Sequence, residues 1–389
     1  MNYVLTSEKD EEKYQKALLG DYKIIRTLST REITGEQDRE NRKIYLAEKI
    51  GDNSKYVIKE IHRGSSEEIT ETCAYEKLKK DTTITIGKHI DLKENNKLIY
   101  IISKYYNGGD LRKFRKDYYN NKAFEIVKIS HIMKNIIYGL NELFSKNIVH
   151  RDIKLGNLVI NFLSDENLEE KNLLKSIIII IDFGSCLLEG GDPEEIKGTE
   201  PYMHPNLFKH NNKELKEHLD LWSLGVVCLK LFGGKITKEK ENGNEKKVKF
   251  IRDKYYIPLN KNTKIELVRF IDCLLQENPE KQIKIDALMK DDFIINDPDS
   301  FSEFKEGYAN KEKTEIIDNE PYIVLNTTNG LNFDYDKLIA KKEDHFNQYV
   351  NDCFLELNKN FLFTQPVLIP IIGIKEENIR EEQENGNKK

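Results

Sequence analysis

The sequence predicts an α+β fold of two lobes: a small, mostly antiparallel β lobe that carries one key helix, and a larger, mainly α-helical lobe. Residues 22–103 alternate between short extended runs and turn residues, with one helical segment among them. After Gly108-Gly109, apolar residues recur every three or four positions, which is typical of helices packed on a core. The change of period therefore divides the chain into a β part and an α part.

Five extended runs and one helix make up the predicted small lobe. The helix is expected to begin after Ser65, because Ser65 and Glu68 have the spacing of a capping box, and to end near Asp81. Turn residues such as Gly51 separate the second run from the third. The extended runs are residues 22–28, 43–49, 56–61, 83–90 and 97–103.

Helices and one buried strand are predicted for the larger lobe. The β-branched run 177–181 is continuous, as expected for a strand that is buried on both faces. Helical patterns return at 220–231 and 264–276, whereas the charged stretches 164–172 and 237–247 predict surface insertions. A long helix precedes these elements, with a buried face formed by Ile129, Met133, Ile136, Leu140 and Phe144.

The domain organisation follows from these patterns. Residues 1–21 are mostly polar and predict a short N-terminal arm, and residues 22–295 predict the main domain. Within that domain the change of period separates a small lobe at 22–103 from a large lobe at 108–295, and residues 104–107 connect them.

Residues 296–389 predict a C-terminal extension. It begins with an expected hairpin of strands 322–325 and 331–333 around Asn329-Gly330. An amphipathic helix is expected between residues 338 and 357, and residues 375–389 are too poor in apolar side chains to fold alone. The extension is expected either to pack on the main domain or to bind a partner protein through its helix.

Composition excludes several classes of function. The formal net charge of −5 and the pI near 6.0 leave no basic stripe for a nucleic acid. The longest purely apolar run, 177–181, is too short to cross a bilayer, so we expect no membrane span. The five cysteines form no CxxC pair and no secretory signal is visible, which predicts a reduced, cytoplasmic location. The eight histidines show no metal-ligand spacing.

The most informative motif lies in the large lobe. Residues 150–157 read HRDIKLGN, and Asp182 opens the sequence DFG. Together they supply a carboxylate that can accept a proton, a neighbouring lysine and oxygen ligands for a hard cation, which phosphoryl transfer from a nucleotide requires. This long and specific pattern resembles the catalytic and metal-binding loops of eukaryotic protein kinases.

The resemblance implies a role for each polar residue of the motif. Asp152 would be the base that orients and deprotonates the acceptor hydroxyl, and Lys154 would contact the transferring phosphate. Asn157 and Asp182 would hold Mg²⁺. A lysine two residues after the catalytic Asp is typical of serine/threonine kinases. Lys59, in the position of the family's V-A-I-K lysine, would reach the α- and β-phosphates of ATP.

Lys59 needs a carboxylate partner from the predicted helix of the small lobe. Alone, a strand lysine is ordinarily a surface residue, and only its register with the later motifs suggests otherwise. Glu71 fits best by its position in the helix, and Glu76 is the alternative, although it comes late in the helix.

The adenine site is implied by residues 99–111, which resemble the last strand, the hinge and the start of the large lobe. Ser103 would be the gatekeeper, and a side chain so small would leave a back pocket open. The carbonyl of Lys104 and the N–H of Tyr106 would hydrogen-bond the adenine edge. The apolar side chains expected around the adenine are those of Leu28, Ile44, Val57 and Val159.

Further motifs follow in the family's order. Residues 198–206, GTEPYMHPN, resemble GTPEYMAPE, and residues 220–225, DLWSLG, match DxWSxG, whose Asp220 would brace the catalytic loop. Residues 278–282 stand where the family has DPxxR. Short matches are weak one by one, but seven in the correct order are hard to obtain by chance. The resemblance extends over residues 22–294.

Two departures from the family pattern stand out. The glycine-rich loop is replaced by a stretch from Leu28 to Ile44 with Gly35 as its glycine, about twice the family's length. Such a loop should approach phosphates less closely, so we expect weak ATP affinity. The family's buried Glu–Arg ion pair is replaced by Asn206 and Gln282. Because both charges are lost together, we interpret the change as a rewired brace.

The activation segment, 182–205, offers few hydroxyl groups. Thr199 is expected to bond Asp152 and Lys154 rather than to be phosphorylated. Nearby acids could supply the anion that Arg151 requires, or they could simply form a solvated loop. The first alternative predicts activity without activation-loop phosphorylation. The acids are Glu189, Asp192, Glu194 and Glu195.

Taken together, the motifs predict a serine/threonine protein kinase that transfers the γ-phosphate of MgATP to protein Ser or Thr hydroxyls. Its cofactors would be ATP and Mg²⁺, and its partners protein substrates. The alternative is a pseudokinase, a nucleotide-binding scaffold, because the glycine-rich loop is degenerate. A small-molecule kinase is a third class, but such enzymes usually lack the motifs at 198–206 and 220–225. The sequence does not assign a group within the family.

Overall fold

A computed structural model describes residues 19–31, 42–52, 54–189, 191, 196–208, 216–237, 254–303, 313–325 and 327–328. It confirms the α+β fold of two lobes, in which a small antiparallel sheet with one long helix precedes a mainly helical lobe. None of the helices described there combines the length and the apolar character needed to cross a membrane.

The small lobe is built on a five-stranded antiparallel sheet with the order β1-β2-β3-β5-β4. Alternate side chains such as Ile58, Tyr100 and Ile102 are buried on one face of this sheet, as the period of two requires. The strands are β1 (Tyr22–Arg31), β2 (Arg42–Lys49), β3 (Lys55–His62), β4 (His89–Glu94) and β5 (Leu98–Lys104).

The fourth predicted strand begins later than expected. Residues 83–88 are not part of the sheet, because Thr85 and Gly87 exchange backbone hydrogen bonds with Ile180 of the large lobe. The O of Thr85 accepts from Ile180 N and the N of Gly87 donates to Ile180 O, both at 2.8 Å. This segment therefore connects the two lobes instead of extending the strand.

The helix of the small lobe, α1 (Ser66–Leu78), begins where the capping box predicts. The Ser65 side chain accepts a hydrogen bond from the Glu68 N at 3.3 Å. The carboxylate of Glu68 turns back to accept from the N of Gly64 at 2.5 Å, one residue before the cap. The helix end is three residues short of the predicted Asp81.

The large lobe has a core of helices around two short strands. The expected buried face of the long helix Ile126–Ser145 is present, because Ile129, Met133, Ile136 and Leu140 are all fully buried. The other helices described in this lobe are α2 (Leu111–Tyr119), α3 (Asp165–Glu170), α4 (His218–Leu231), α5 (Ile265–Leu274), α6 (Ile285–Leu288) and α7 (Asp292–Ile295).

The strands β6 (Leu158–Phe162) and β7 (Ser176–Ile180) pair antiparallel between the catalytic-loop residues and the DFG motif. Every residue of β7 is buried, in agreement with the continuous apolar run. Residues 164–172, predicted as an insertion, contain the short helix α3, which Ser164 caps at its N-terminus. The other predicted insertion lies outside the described residues from 238 onward.

The C-terminal extension contributes two strands to the large lobe. Strands β8 (Lys235–Thr237), β9 (Lys254–Pro258), β10 (Lys313–Ile317) and β11 (Glu320–Leu325) form one sheet with the order β10-β11-β9-β8. The predicted strand 322–325 is therefore present, but its hairpin partner is β10. On its other edge β11 pairs with β9, and the predicted partner strand 331–333 lies outside the described residues.

Several predicted regions fall outside the described residues. They are residues 1–18 of the N-terminal arm, the charged stretch that replaces the glycine-rich loop at 32–41, and everything from 329 to the end, which includes the predicted amphipathic helix.

Candidate active site

The backbone of the HRD motif is held by Asp220 at the start of α4. Its two carboxylate oxygens accept hydrogen bonds from the backbone N of His150 at 2.6 Å and of Arg151 at 2.7 Å. Burial raises the pKa of Asp220 to about 6, although the neighbouring His150 and Arg151 favour its charged form. Arg151 has a φ of 62°, a conformation that costs energy in a residue with a Cβ. The Asp220 carboxylate therefore stabilises a strained loop just before Asp152.

The Asp152 carboxylate lies at the centre of a compact polar cluster. Lys154 Nζ donates to its Oδ2 at 2.6 Å, and Thr199 Oγ1 donates to its Oδ1 at 2.6 Å. Lys154 Nζ also donates to Thr199 Oγ1 at 2.7 Å, which closes a ring of three side chains. Asn157 Nδ2 donates to both the backbone O and the Oδ2 of Asp152 at 2.9 Å. Thr199 thus makes the two contacts expected of it.

A second cluster surrounds Lys59 in the middle of β3. Its Nζ lies 2.6 Å from Asp182 Oδ1 and 2.7 Å from Glu67 Oε1, and it also contacts Glu71 Oε1. Glu76, the alternative partner, pairs with Lys79 on the exposed side of the helix. The structure therefore brings Lys59, Glu71 and Asp182 together, as the motif register predicts.

The charges of this cluster shift the pKa values of its members. Burial raises the pKa of Glu71 to about 7, with Asp182 and Glu67 adding to the rise and Lys59 opposing it. Burial lowers the pKa of Lys59, but the three carboxylates outweigh burial and leave the pKa above its ordinary value. The ammonium therefore stays charged at neutral pH, whereas the burial of Glu71 and its acidic neighbours oppose the charged form of that carboxyl.

Glu67 is a site residue that the sequence reasoning missed. Glu67 is buried, and it fills the space beside Gly184 of the DFG motif. A Cβ placed on Gly184 would lie 2.8 Å from the Cγ of Glu67 and would clash with the Glu67 carboxylate. Thr70 Oγ1 donates to the O of Gly184 at 2.8 Å and fastens the same helix to the same loop. The available signal was the spacing of Glu67 and Glu71, since residues four apart share a helix face.

A backbone hydrogen bond brings together the two residues expected to hold Mg²⁺, Asn157 and Asp182. Ile181 N donates to Asn157 O at 3.0 Å, so Asn157 lies beside the residue that precedes Asp182. The Nδ2 of Asn157 is used in its bonds to Asp152, which leaves Oδ1 as the ligand atom. Oxygen donors of this kind fit Mg²⁺. A carboxylate oxygen from each of Asp182, Glu67 and Glu71 also comes within 4.8 Å of the others, with the Lys59 ammonium bonded to all three residues.

A series of aromatic rings passes behind the two clusters. The ring centroid of Phe183 lies 5.3 Å from that of His150 and 5.7 Å from that of His89 on β4. The His89 ring in turn lies 5.7 Å from the ring of Tyr75 on α1. Rings in contact thus connect α1 and β4 with the HRD and DFG motifs.

The adenine end of the site lies at the border of the two lobes. Val57, Ile44 and Val159 are only half-buried, and Leu28 is 37% exposed, as expected of side chains that line a cleft. The hinge is fixed from behind, because Lys104 N donates to Lys88 O and Lys88 N donates to the hydroxyl of Tyr106, both at 2.9 Å.

The expectation of an open back pocket behind Ser103 is wrong. The Nδ1 of His89 lies 3.0 Å from Ser103 Oγ, so an imidazole stands in the space that the small side chain leaves. The sequence places His89 in an extended run but does not predict this role, which depends on packing between elements that are distant in sequence.

Comparison with known proteins assigns the family. Residues 40–294, about two thirds of the chain, match the family described as "Protein kinase domain". The chain belongs to the protein kinase family. The match begins later than the expected residue 22, so the first strand of this kinase and most of its unusual loop lie outside it.

A curated relative of the kinase is a probable serine/threonine-protein kinase, mkcD, of Dictyostelium discoideum. It is 28% identical over 207 residues, which are 52% of this chain and 29% of that protein. The kinase thus spans less than a third of the length of this relative.

The activation segment of the kinase is fastened to the catalytic loop. Arg151, which is buried, donates from Nε to the O of Ser185 at 2.7 Å and from Nη2 to the O of Cys186 at 3.4 Å. Leu187 and Val149 exchange backbone hydrogen bonds at 2.7 and 3.0 Å. Of the four acids suggested as an anion for Arg151, Glu189 is exposed and the other three lie outside the described residues.

The amides that replace the family's Glu–Arg ion pair bond other groups. Asn206 Nδ2 donates to the O of Glu277 at 2.7 Å. Gln282 Nε2 donates to the O of Leu274 at 2.6 Å, and its Oε1 lies 2.6 Å from the Nδ1 of His218. Each amide thus ties its segment to a carbonyl, which is how a rewired brace should behave.

Proposed function

We propose that this kinase is an active serine/threonine protein kinase, which transfers the γ-phosphate of MgATP to Ser or Thr hydroxyls of proteins without prior phosphorylation of its activation segment. The observation that carries the proposal is the ring formed by Asp152, Lys154 and Thr199. A carboxylate held this tightly beside an ammonium can receive a proton in one fixed place.

Asp152 would orient the acceptor hydroxyl and take its proton at a carboxylate oxygen. Lys154, 2.6 Å away, offsets negative charge on the phosphate during transfer. Thr199 keeps the two side chains in register, because its hydroxyl donates to one and accepts from the other. The lysine and the threonine both support the serine/threonine type, as does the name of the Dictyostelium relative.

The nucleotide would lie between the lobes, and MgATP supplies the phosphoryl group with its charge already partly neutralised. Lys59 would bind the α- and β-phosphates, and Glu71 would hold the ammonium in place. Asp182 and Asn157 would be the Mg²⁺ ligands. The Lys104 carbonyl and the Tyr106 N–H would orient the adenine, with the exposed Leu28 and the half-buried Ile44, Val57 and Val159 against its faces.

Activity without phosphorylation is supported by the surroundings of Arg151. In this site the guanidinium bonds the backbone carbonyls of Ser185 and Cys186, directly after the DFG motif. These bonds set the course of the segment, and the paired Val149 and Leu187 extend it. A phosphate is therefore not needed to place the beginning of the activation segment.

A non-catalytic nucleotide-binding scaffold is the second candidate. It is favoured by one observation, namely that the family match begins at residue 40, after Gly35. The clusters around Asp152 and Lys59 favour the enzyme.

A radiolabelled phosphate-transfer assay on generic protein substrates distinguishes the two. We expect the wild type to transfer label and Asp152→Ala to transfer none above background, with Asp165→Ala, an exposed aspartate of α3, as the matched control. Equal signals from wild type and Asp152→Ala would favour the scaffold. Treatment of the wild type with a phosphatase should leave its activity intact, and loss of activity would refute the phosphorylation-independent mechanism alone.

A further inference from the structure

We propose that His89, rather than the gatekeeper Ser103, decides which ligands can extend behind the adenine, and that it excludes adenine nucleotides with a bulky aromatic group on the exocyclic amine. The proposal rests on the proposed nucleotide site, but it requires only binding and not catalysis.

The position of His89 follows from strand pairing. His89 opens β4 and lies opposite Ser103 on β5, and paired residues of neighbouring antiparallel strands project to the same face of a sheet. Their side chains meet there, with 3.0 Å between His89 Nδ1 and Ser103 Oγ. The imidazole of His89 thus fills the space that the small side chain of Ser103 leaves.

Two further elements enclose the imidazole. The ring of Tyr75 on α1 lies 5.7 Å from it, and the ring of Phe183 from the DFG motif lies at the same distance. Phe183 is 1% exposed and His89 is 8% exposed. A group that entered from the adenine site would have to displace the imidazole, since the sheet, α1 and the DFG loop surround it.

The imidazole is neutral and has one polar anchor. Burial, together with the nearby charge of Lys59, lowers the pKa of His89 to about 4. The Nε2 atom is buried and has no hydrogen-bond partner among the described residues. Ser103 Oγ is therefore the hydrogen-bonding partner that keeps the ring in place. The hydroxyl of Ser103 and the imidazole of His89 together form the barrier behind the adenine.

The geometry of adenine recognition identifies the excluded ligands. On the adenine edge the exocyclic amine is the donor, so it must face an acceptor such as the Lys104 carbonyl. Ser103 immediately precedes Lys104, and His89 lies against Ser103. A substituent on the exocyclic amine is thus directed towards Ser103 and then towards the imidazole.

The test compares the binding of ATP and of N6-benzyl-ATP, each with Mg²⁺, to the full chain by isothermal titration calorimetry. In the wild type we expect the benzyl nucleotide to bind at least about tenfold more weakly than ATP, within the range that pocket shape achieves. In His89→Ala the ratio of the two affinities should fall towards one. His131→Ala, which truncates another buried histidine, should keep the wild-type ratio.

The outcomes separate this proposal from the proposed function. Equal binding of the two nucleotides by the wild type would overturn the role of His89 while leaving the nucleotide site intact. An unchanged ratio in a folded His89→Ala would overturn it as well. Absence of ATP binding to the wild type would refute the nucleotide site, and this proposal with it.

A second variant covers the case in which His89→Ala does not fold. Ser103→Ala removes only the hydroxyl that anchors the imidazole, and we expect it to reduce the discrimination between the nucleotides by at least about threefold, the effect of losing one weak hydrogen bond. A wild-type ratio of the two affinities in a folded Ser103→Ala would overturn the role of the anchored imidazole.

Discussion

Glu67 Oε1 lies 2.7 Å from Lys59 Nζ, one helical turn before Glu71, whose carboxylate contacts the same ammonium. With Asp182 added, three carboxylates surround one lysine. The helix α1 thus offers Lys59 two partners, and one of them, Glu67, also fills the space above Gly184. Burial raises the pKa of Glu71 to about 7, and the surplus of negative charge from Asp182 and Glu67 adds to the rise.

The first prediction is that Glu67 and Glu71 can replace each other as partners of Lys59. Because each carboxylate reaches the ammonium, Glu67→Gln or Glu71→Gln alone should lower kcat/KM for MgATP by less than about tenfold, whereas the double variant should lose at least about 100-fold. Steady-state kinetics of the four proteins measure the coupling. A Glu71→Gln variant as impaired as the double variant would show that Glu67 does not support Lys59.

The second prediction concerns the hydroxyl of Thr199. Thr199→Val keeps the shape but removes the group that bonds both Asp152 and Lys154, so kcat should fall by about 10-fold to 100-fold with a smaller change in KM. Thr199→Ser retains the hydroxyl and serves as the control, with activity within a few-fold of the wild type. Full activity of the valine variant would mean that Asp152 and Lys154 are positioned without Thr199.

The third prediction is that Gln282→Arg destabilises the kinase. Gln282 is buried between the Leu274 carbonyl and His218, and Asn206 cannot neutralise a guanidinium. An unpaired buried charge costs about 3–5 kcal/mol, which thermal unfolding would show as a clear drop in Tm. Lys281→Arg, at the exposed neighbouring position, is the matched control. In the Gln282→Arg background, adding Asn206→Glu should restore stability, because it supplies a carboxylate for the guanidinium. An unchanged Tm in Gln282→Arg alone would contradict the idea of a rewired brace.

The fourth prediction is weak binding of MgATP. Strands β1 and β2 pair as far as Arg31 and Arg42, and the ten residues between them contain one glycine. We expect a Kd towards the upper end of the range of about 1 μM to 1 mM that is usual for enzyme substrates, measured by calorimetry. Replacing residues 32–41 by an Asn-Gly turn should tighten binding, since the hairpin would then resemble the family's shorter one. A wild-type Kd of a few micromolar would contradict the prediction.

The fifth prediction is a loss of stability in mild acid that depends on His131. Burial lowers the pKa of this histidine to about 4, against 6.5 in the unfolded chain. The unfolded state therefore binds a proton first, and stability that is fully present above pH 6.5 is lost as the pH falls towards 4. The contribution is on the order of 3 kcal/mol.

Chemical unfolding at pH 7 and pH 5 measures this effect. His131→Gln should show a smaller loss between the two pH values than the wild type. Lys134, on the same helix, and the Ser176 carbonyl, 2.8 Å from Nε2, are the neighbours that modulate the pKa. Equal losses in both proteins would assign the acid sensitivity to other groups.

Local patterns explain why much of the fold was predictable. Ser65 caps α1, the run at 177–181 forms a buried strand, and the apolar positions of 129–144 face the core, because each depends on residues close in sequence. The contact between Lys59 and Glu71 was also predicted, since the motif register fixes both. Family resemblance, rather than periodicity, supplied the expected roles of these residues.

The parts that sequence could not supply depend on contacts between distant elements. Glu67 meets Gly184, and His89 fills the space behind Ser103, only because α1, β4 and the DFG loop pack together. The pairing of β11 with β10 and β9 was not foreseen for the same reason. A strand pattern identifies β11 but does not show which other strands will lie beside it.

The sheet formed by β8, β9, β10 and β11 shows how much of the chain forms one structural unit that has to be inherited together. Tyr255 of β9 lies against Trp222, two residues after Asp220, so the sheet supports the helix that holds the catalytic loop. Half of its strands lie beyond residue 294, where the family match ends, and they bury Ile323 and Leu325. A gene rearrangement that carried only the matched segment would lose these two strands and expose the apolar core residues on which Ile323 and Leu325 pack. The unit that must be passed on intact is therefore larger than the segment by which the family is recognised.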